Sequence, residues 1–188
     1  QRRTEEDPLF VIMKTKIILF FALFLLFVAP WTVGAAVVIN EIAWMGTTDS
    51  ANDEWIELYN NSTEAVDLTD WILEATDGQP LINLSGIISA NGYFLLERTD
   101  DSSVPGIPAD QIYSGALGNS GEYLKLKDNA GNIVDDLNFI SGWPAGDNVT
   151  KQTMEKTATG WQTSLNPGGT PRAQNSSGAI EESESTTE

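Results

Sequence analysis

The chain of 188 residues contains neither cysteine nor histidine. Without cysteine it can form no disulfide, no thiolate metal site, no thiol nucleophile and no lipid-modified cysteine of a lipoprotein. Without histidine it lacks the commonest general base, the commonest metal ligand and every triad built on imidazole. Positive charge is scarce as well, with 10 Lys and Arg against 27 Asp and Glu. Three of those acids and four of those bases precede residue 36, which leaves a net charge near −18 beyond it. The remaining cations are Arg98, Lys125, Lys127, Lys151, Lys156 and Arg172, scattered among acids. Phosphate backbones are held by clustered Lys and Arg. The composition therefore argues against direct binding to a nucleic-acid backbone and for an acidic, solvated surface.

One long hydrophobic run is present, at residues 17–29 (IILFFALFLLFVA). Met13-Lys14-Thr15-Lys16 supplies a positive start, and Val33-Gly34-Ala35 supplies small residues before a cut ahead of Ala36. Residues 13–35 thus read as a signal peptide, and residues 1–12 as an extension from a start site placed too far upstream. The alternative is an uncleaved membrane anchor, but the run is short for a span of about 20 residues and Pro30 follows it at once. The expected location is secreted, cell-surface or periplasmic, with membrane contact only through this segment if it stays uncleaved. The remaining chain of about 140 residues is long enough for one domain that buries roughly two-thirds of its unfolded surface.

Beyond the run no sustained helical period is found. Short stretches of period-two alternation recur between turn residues. Strands are expected at 37–44 (VVINEIAW), 54–60 (EWIELYN), 70–76 (DWILEAT), 80–84 (PLINL), 93–98 (YFLLER), 122–128 (EYLKLKD) and 132–139 (NIVDDLNF). Asn91-Gly92, between GIIS and YFLLE, predicts a two-residue type I′ hairpin. Asp128-Asn129-Ala130-Gly131-Asn132 predicts a second tight turn with Gly131 at positive φ. The alternation is half-buried: Leu124 and Leu126 oppose Tyr123, Lys125 and Lys127, while Ile56 and Leu58 oppose Trp55, Glu57 and Tyr59. Several short strands of this kind predict an all-β sandwich. No period of about 20–50 residues repeats, which disfavours propellers and solenoids. Residues 99–110 (TDDSSVPGIPAD) read as a long loop. After Trp161 apolar residues thin out, and the chain reads as a polar linker ending in a disordered Ser/Thr/Glu tail at 173–188.

The series INEIAW, DEWIELYNNS, DLTDWIL, ANGYFLLER, GNSGEYLKLKDNAGNIVDDLNF, GWP and NPGG resembles a bacterial lamin-tail domain over roughly residues 37–172. The order and spacing of the blocks carry the resemblance. Two departures are Asp70, where the family often has Gly before the Trp, and a spread-out ending NPGGTPRAQN. The resemblance implies an immunoglobulin-like β-sandwich over residues 36–172. It implies no catalytic residues, and a binding, scaffolding or envelope-associated role with a protein or cell-envelope partner. Bacterial members often stand beside hydrolase or nuclease domains, so the alternative is an accessory or truncated piece of such an extracellular system.

Glu41 and Glu57 stand in the middle of strands and admit three readings. A glycosidase needs two carboxylates about 5–10 Å apart across a cleft, and nothing in the sequence suggests a groove. Calcium needs six to eight oxygens and tolerates weak extracellular sites. Its candidates are Asp49, Asp53 and Glu54 in one loop and Asp100, Asp101 and Asp110 in another, without the spacing of an EF-hand. Apart from that possibility no cofactor is expected. The preferred reading is structural: a strand glutamate that accepts backbone N–H bonds where another segment crosses. Trp44, Trp55, Trp71 and Trp161 read as core or edge-covering residues. Trp143, in Ser-Gly-Trp-Pro, is the candidate for an exposed aromatic that stacks on a ligand.

Overall fold

The computed structural model describes residues 36–176; the expected extension and signal segment, and the chain from 177 onward, lie outside them. The described residues form twelve strands and no helix: β1 (Val37–Ala43), β2 (Trp55–Asn60), β3 (Val66–Asp67), β4 (Ile72–Ala75), β5 (Leu81–Asn83), β6 (Ile87–Ile88), β7 (Tyr93–Arg98), β8 (Gln111–Tyr113), β9 (Tyr123–Lys127), β10 (Ile133–Asn138), β11 (Gln152–Lys156) and β12 (Trp161–Pro167). A six-stranded sheet has the order β12-β11-β1-β2-β7-β8, a four-stranded sheet the order β10-β9-β4-β5, and β3 and β6 pair by themselves. All neighbours are antiparallel except β7 and β8. The architecture is the all-β sandwich that the alternation predicts, in the immunoglobulin-like form that the family resemblance implies.

One face of the larger sheet carries Ile42, Ile56, Leu58, Phe94, Leu96 and Met154. These join Leu73, Ile82, Leu124, Leu126 and Leu137 of the smaller sheet in a single buried cluster. Burial of that apolar area is the main driving force for a cysteine-free domain. The seven expected strands all form, within two residues of their expected ends. The Asp128–Asn132 turn forms with Gly131 at φ 81°, and the Asp128 side chain accepts bonds from the N–H groups of Ala130 and Asn132. Asp70 takes φ 64°, the left-handed conformation for which a glycine serves in the family pattern and which Asp tolerates better than most residues.

Three expectations need correction. The Asn91-Gly92 turn is not a type I′ hairpin. Asn91 has φ 52° but Gly92 is not at positive φ, and the turn closes through the Gly92 N–H to Ser89 O at 2.9 Å. It hands the chain from β6, paired with β3, to β7, paired with β2 and β8. The stretch after Trp161 is not a linker at its start: β12 pairs with β11 and extends the larger sheet. Its sequence and that of β11 (QTMEK) are mostly polar, and the ladder imposed by β1, rather than intrinsic preference, makes them strands. Finally, β2 is not half-buried. Trp55 and Glu57 on its second face are as closed off as Ile56 and Leu58, because other parts of the chain lie over that face.

Candidate functional site

The second face of the larger sheet presents a row of carboxylates. Glu41 on β1 is in register with Glu155 on β11 on one side and Glu57 on β2 on the other. All three residues are fully buried. A β-bulge between Ile39 and Glu41 leaves Asn40 as the extra residue, and such a bulge re-aims a side chain. The Asn40 amide donates to Glu57 Oε1 at 3.0 Å and to Asn175 Oδ1 at 2.9 Å.

The cover is the segment that follows β12. Gly168 and Gly169 take φ 78° and 67° and turn the chain back over the row. A Cβ on Gly169 would stand 1.8 Å from Glu41 Oε1 and 2.3 Å from Thr153 Oγ1, so only glycine lets the backbone pass this close. The segment then meets each carboxylate in turn. The Thr170 N–H donates to Glu41 Oε1 at 2.9 Å, and Thr153 Oγ1 donates to the same oxygen. The Arg172 N–H donates to Glu57 Oε2 at 2.5 Å. The Ser176 N–H and hydroxyl donate to the two oxygens of Glu155 at 3.0 Å each, with Gln162 Nε2 also on Oε2 at 3.1 Å. Asn175 Nδ2 reaches Asn40 O and Lys156 O, tying the segment to β1 and β11. A salt bridge of 2.8 Å from Arg172 to Asp110 fastens it to the far side.

The proton count at Thr170 is informative. Its Oγ1 lies 3.0 Å from Glu41 Oε2 and 2.9 Å from Glu155 Oε1. A hydroxyl has one hydrogen and can donate to one of them. A proton on Glu41 or on Glu155 resolves the count, Thr170 Oγ1 accepting from the one and donating to the other. The electrostatics favour Glu41. Burial pushes the Glu41 carboxyl up to about 7, against the bonds from Thr153 and Thr170 that lower it, with Glu155 adding to the rise. Burial likewise pushes Glu57 up to about 8, opposed by Arg172 and Asn40. Carboxyls held near neutral pH can act as acids or bases, but every oxygen of the three is engaged by the chain itself. A substrate would have to displace the covering segment.

The loop acids are used singly. Asp53 accepts from Thr47 Oγ1 at 2.8 Å, Asp49 is exposed on the loop, Asp100 accepts from Ser102 Oγ and Asp101 accepts from the Ala109 N–H at 2.7 Å. Glu54 is buried between Arg98 at 3.1 Å and the Leu117 N–H at 2.8 Å, and burial raises its carboxyl above the ordinary range. Among the described residues no three carboxylates are placed to hold a metal ion. Asp110 accepts from the Leu95 N–H at 2.7 Å besides pairing with Arg172. Trp143 is half-buried rather than free-standing. Its ring lies 8° from parallel with Trp44 at 6.1 Å, its indole N–H donates to Gly118 O at 2.8 Å, and Phe139 links it to Trp161.

Sequence reasoning missed Glu155, Asn40, Thr170, Asn175 and Ser176. The one signal that could have found them is the Gly168-Gly169 pair after a strand, which marks a close approach of backbone to something.

A search of curated proteins gives no match. The model of the Lamin Tail Domain family matches residues 32–141, from the segment ahead of β1 through the end of β10. With more than half of its length matched and the sandwich in place, the chain belongs to the Lamin Tail Domain family.

Proposed function

We propose that this protein is an exported, non-catalytic interaction module whose partner is a protein or a cell-envelope component. The observation that carries the non-catalytic part is the occupancy of Glu41, Glu57 and Glu155. The groups that most resemble an acid/base constellation are closed by Thr170, Arg172 and Ser176 and serve the sheet. Membership of an immunoglobulin-like family without catalytic motif residues supports the same reading. The reading of residues 13–35 as a signal peptide supports export.

The cations support a partner other than a nucleic-acid backbone. Arg98, Lys127, Lys156 and Arg172 face Glu54, Glu74, Asp135 and Asp110. Lys125 lies over the Tyr123 ring, and Lys151 donates to Met45 O and Asn148 Oδ1. None of these belongs to a free basic stripe of the kind phosphates require.

The test uses material recovered from the medium or the envelope. Its N-terminus is expected at Ala36 or Val37. The purified protein is expected to be retained saturably by envelope fractions and to turn over no polysaccharide, nucleic-acid or ester substrate. A turnover abolished by both Glu41→Gln and Glu57→Gln, with melting unchanged, would overturn the reading.

A further inference from the structure

The open edges of the two sheets come together at β5 and β8, and the hydrogen-bond phase there is fixed by two bonds. The Leu84 N–H donates to Trp71 O and the Ala75 N–H donates to Pro80 O, each at 2.8 Å. With the register Ile72↔Asn83 and Glu74↔Leu81, residues 80, 82 and 84 face β4. Leu81 and Asn83 therefore turn their backbone N–H and C=O groups outward. Between Leu81 and Ser85 that edge offers five outward groups: both of Leu81, both of Asn83 and the Ser85 N–H.

Two of the five are taken by a side chain. Gln111, the first residue of β8, donates from Nε2 to Asn83 O at 2.8 Å and accepts at Oε1 from the Ser85 N–H at 3.1 Å. A C=O of residue i and an N–H of residue i+2 are the pair that a single residue of a parallel neighbouring strand would satisfy. The Gln111 amide supplies the same donor and acceptor. Among the described residues no hydrogen bond reaches the outward groups of Leu81 or the Asn83 N–H. An unpaired strand edge of this kind is a template for another strand.

The surroundings fit an extended peptide. Leu81, Asn83, Thr99, Gln111, Ile112 and Ser114 line an open groove of about 510 Å³ along the edge. Leu81 and Ile112 are 56% and 41% exposed and lie together on the groove, which suits the alternate apolar residues of a strand laid beside them. Beyond the groove Gly115 passes close to Pro80, where a Cβ would stand 3.0 Å from the Pro80 Cα. The formal charge of −17 favours a cationic partner and repels an acidic one.

We propose that the β5 edge, held in reserve by the Gln111 amide, is a docking site for an extended peptide that alternates apolar and basic side chains and adds a strand to the smaller sheet. This deepens the interaction-module reading and rests on it.

The test measures binding of the labelled peptide acetyl-Lys-Val-Lys-Val-Lys-Val-amide to the intact protein by fluorescence anisotropy. The same peptide N-methylated at every residue, which cannot donate to the edge in either register or direction, is measured beside it. The expected result is binding that is lost on methylation and becomes about fivefold tighter in Gln111→Ala, the weight of roughly one net amide hydrogen bond. A Leu81→Ser variant, at an exposed position that leaves the core intact, is expected to weaken it. Absence of binding, or binding indifferent to methylation and to Gln111→Ala, overturns the site, since attraction to acidic surface alone would behave that way. If the peptide fails while envelope material is still retained without turnover, this site falls and the module reading stands. Turnover dependent on Glu41 and Glu57 would instead remove the module reading.

Discussion

β2 and β9 are written in the same code and end in different surroundings. Each alternates apolar and polar or aromatic residues with a period of two, and each sits inside its sheet between two neighbours. On β9 the outward residues Tyr123, Lys125 and Lys127 meet water on one side. On β2 the outward residues Trp55 and Glu57 meet the rest of the chain, with Tyr59 partly covered at the end. The difference arises more than 100 residues downstream, where Gly168 and Gly169 turn the chain back across the larger sheet. Period-two alternation states which residues share a face. It does not state whether a remote segment will cover that face. A carboxylate set among aromatic neighbours on the outward side of β2 is the local mark of such a cover, because a buried charge or carboxyl needs donors brought to it.

The contrast can be broken at two glycines. Gly169→Ala places a methyl group inside Glu41 and Thr153 at φ 67°, so either the segment lifts or the glutamate row shifts. A loss on the order of 4 kcal/mol is expected, the range for overpacking combined with exposure of buried carboxyls. Gly131→Ala also sits at positive φ, 81°, but meets no atom within 4 Å. It should cost about 1 kcal/mol from backbone strain alone. Urea unfolding of the two variants measures the difference; equal losses would mean that the cover over β2 contributes nothing beyond a turn.

A smaller effect sharpens the same contrast between the sheets. Glu57→Gln keeps the side chain's size but replaces one of two accepting oxygens with an NH₂ that cannot receive the Arg172 or Asn40 donor. The expected loss is about 1–3 kcal/mol, for disturbing hydrogen bonds to a buried group. Glu74→Gln, on the solvent side of the smaller sheet, breaks the 2.6 Å pair with Lys127. Both side chains are partly in water, and the expected loss is about 0.5 kcal/mol or less. Chemical denaturation of both variants separates the cases, and a Glu57 loss as small as that of Glu74 would contradict the covered-face account.

The sequence made the sandwich legible because local and tertiary preferences agree in most strands. Leu124 and Leu126, or Ile56 and Leu58, alternate as their burial requires, and the Asp128–Asn132 turn carries its own geometry. Asn91-Gly92 is a true turn signal, but a dipeptide does not say which strands it joins, and here it joins two different sheets. β8 is three residues long and follows a proline-rich loop, too short for any period to show. β11 and β12 are polar because one face carries Thr153 and Glu155 into a hydrogen-bonded network and the other needs only Met154 for the core. Glu155 therefore looks like an ordinary surface charge until the ladder places it beside Glu41. The candidate site was half legible for the same reason: Glu41 and Glu57 stand out within apolar strands, while their partners lie in segments whose composition suggests solvent.

The covered glutamate row makes a thermodynamic claim with a definite sign. Glu41 and Glu57 have carboxyls raised from 4.5 to about 7 and about 8 in the folded protein. Between those values the folded state holds protons that the unfolded chain has released. Stability contributed by the row is therefore fully present below about pH 4.5 and is lost as pH rises through 7 and 8, after which the loss levels off. The decisive measurement is the melting temperature from pH 4.5 to 9, for the parent and for the double variant Glu41→Gln, Glu57→Gln. The account predicts a parent whose melting temperature falls across that interval and a double variant whose fall is clearly smaller, the remainder coming from Glu54 and Glu97, which burial also raises. A parent with a flat or rising profile would contradict it, because carboxylates open to water would carry no such dependence.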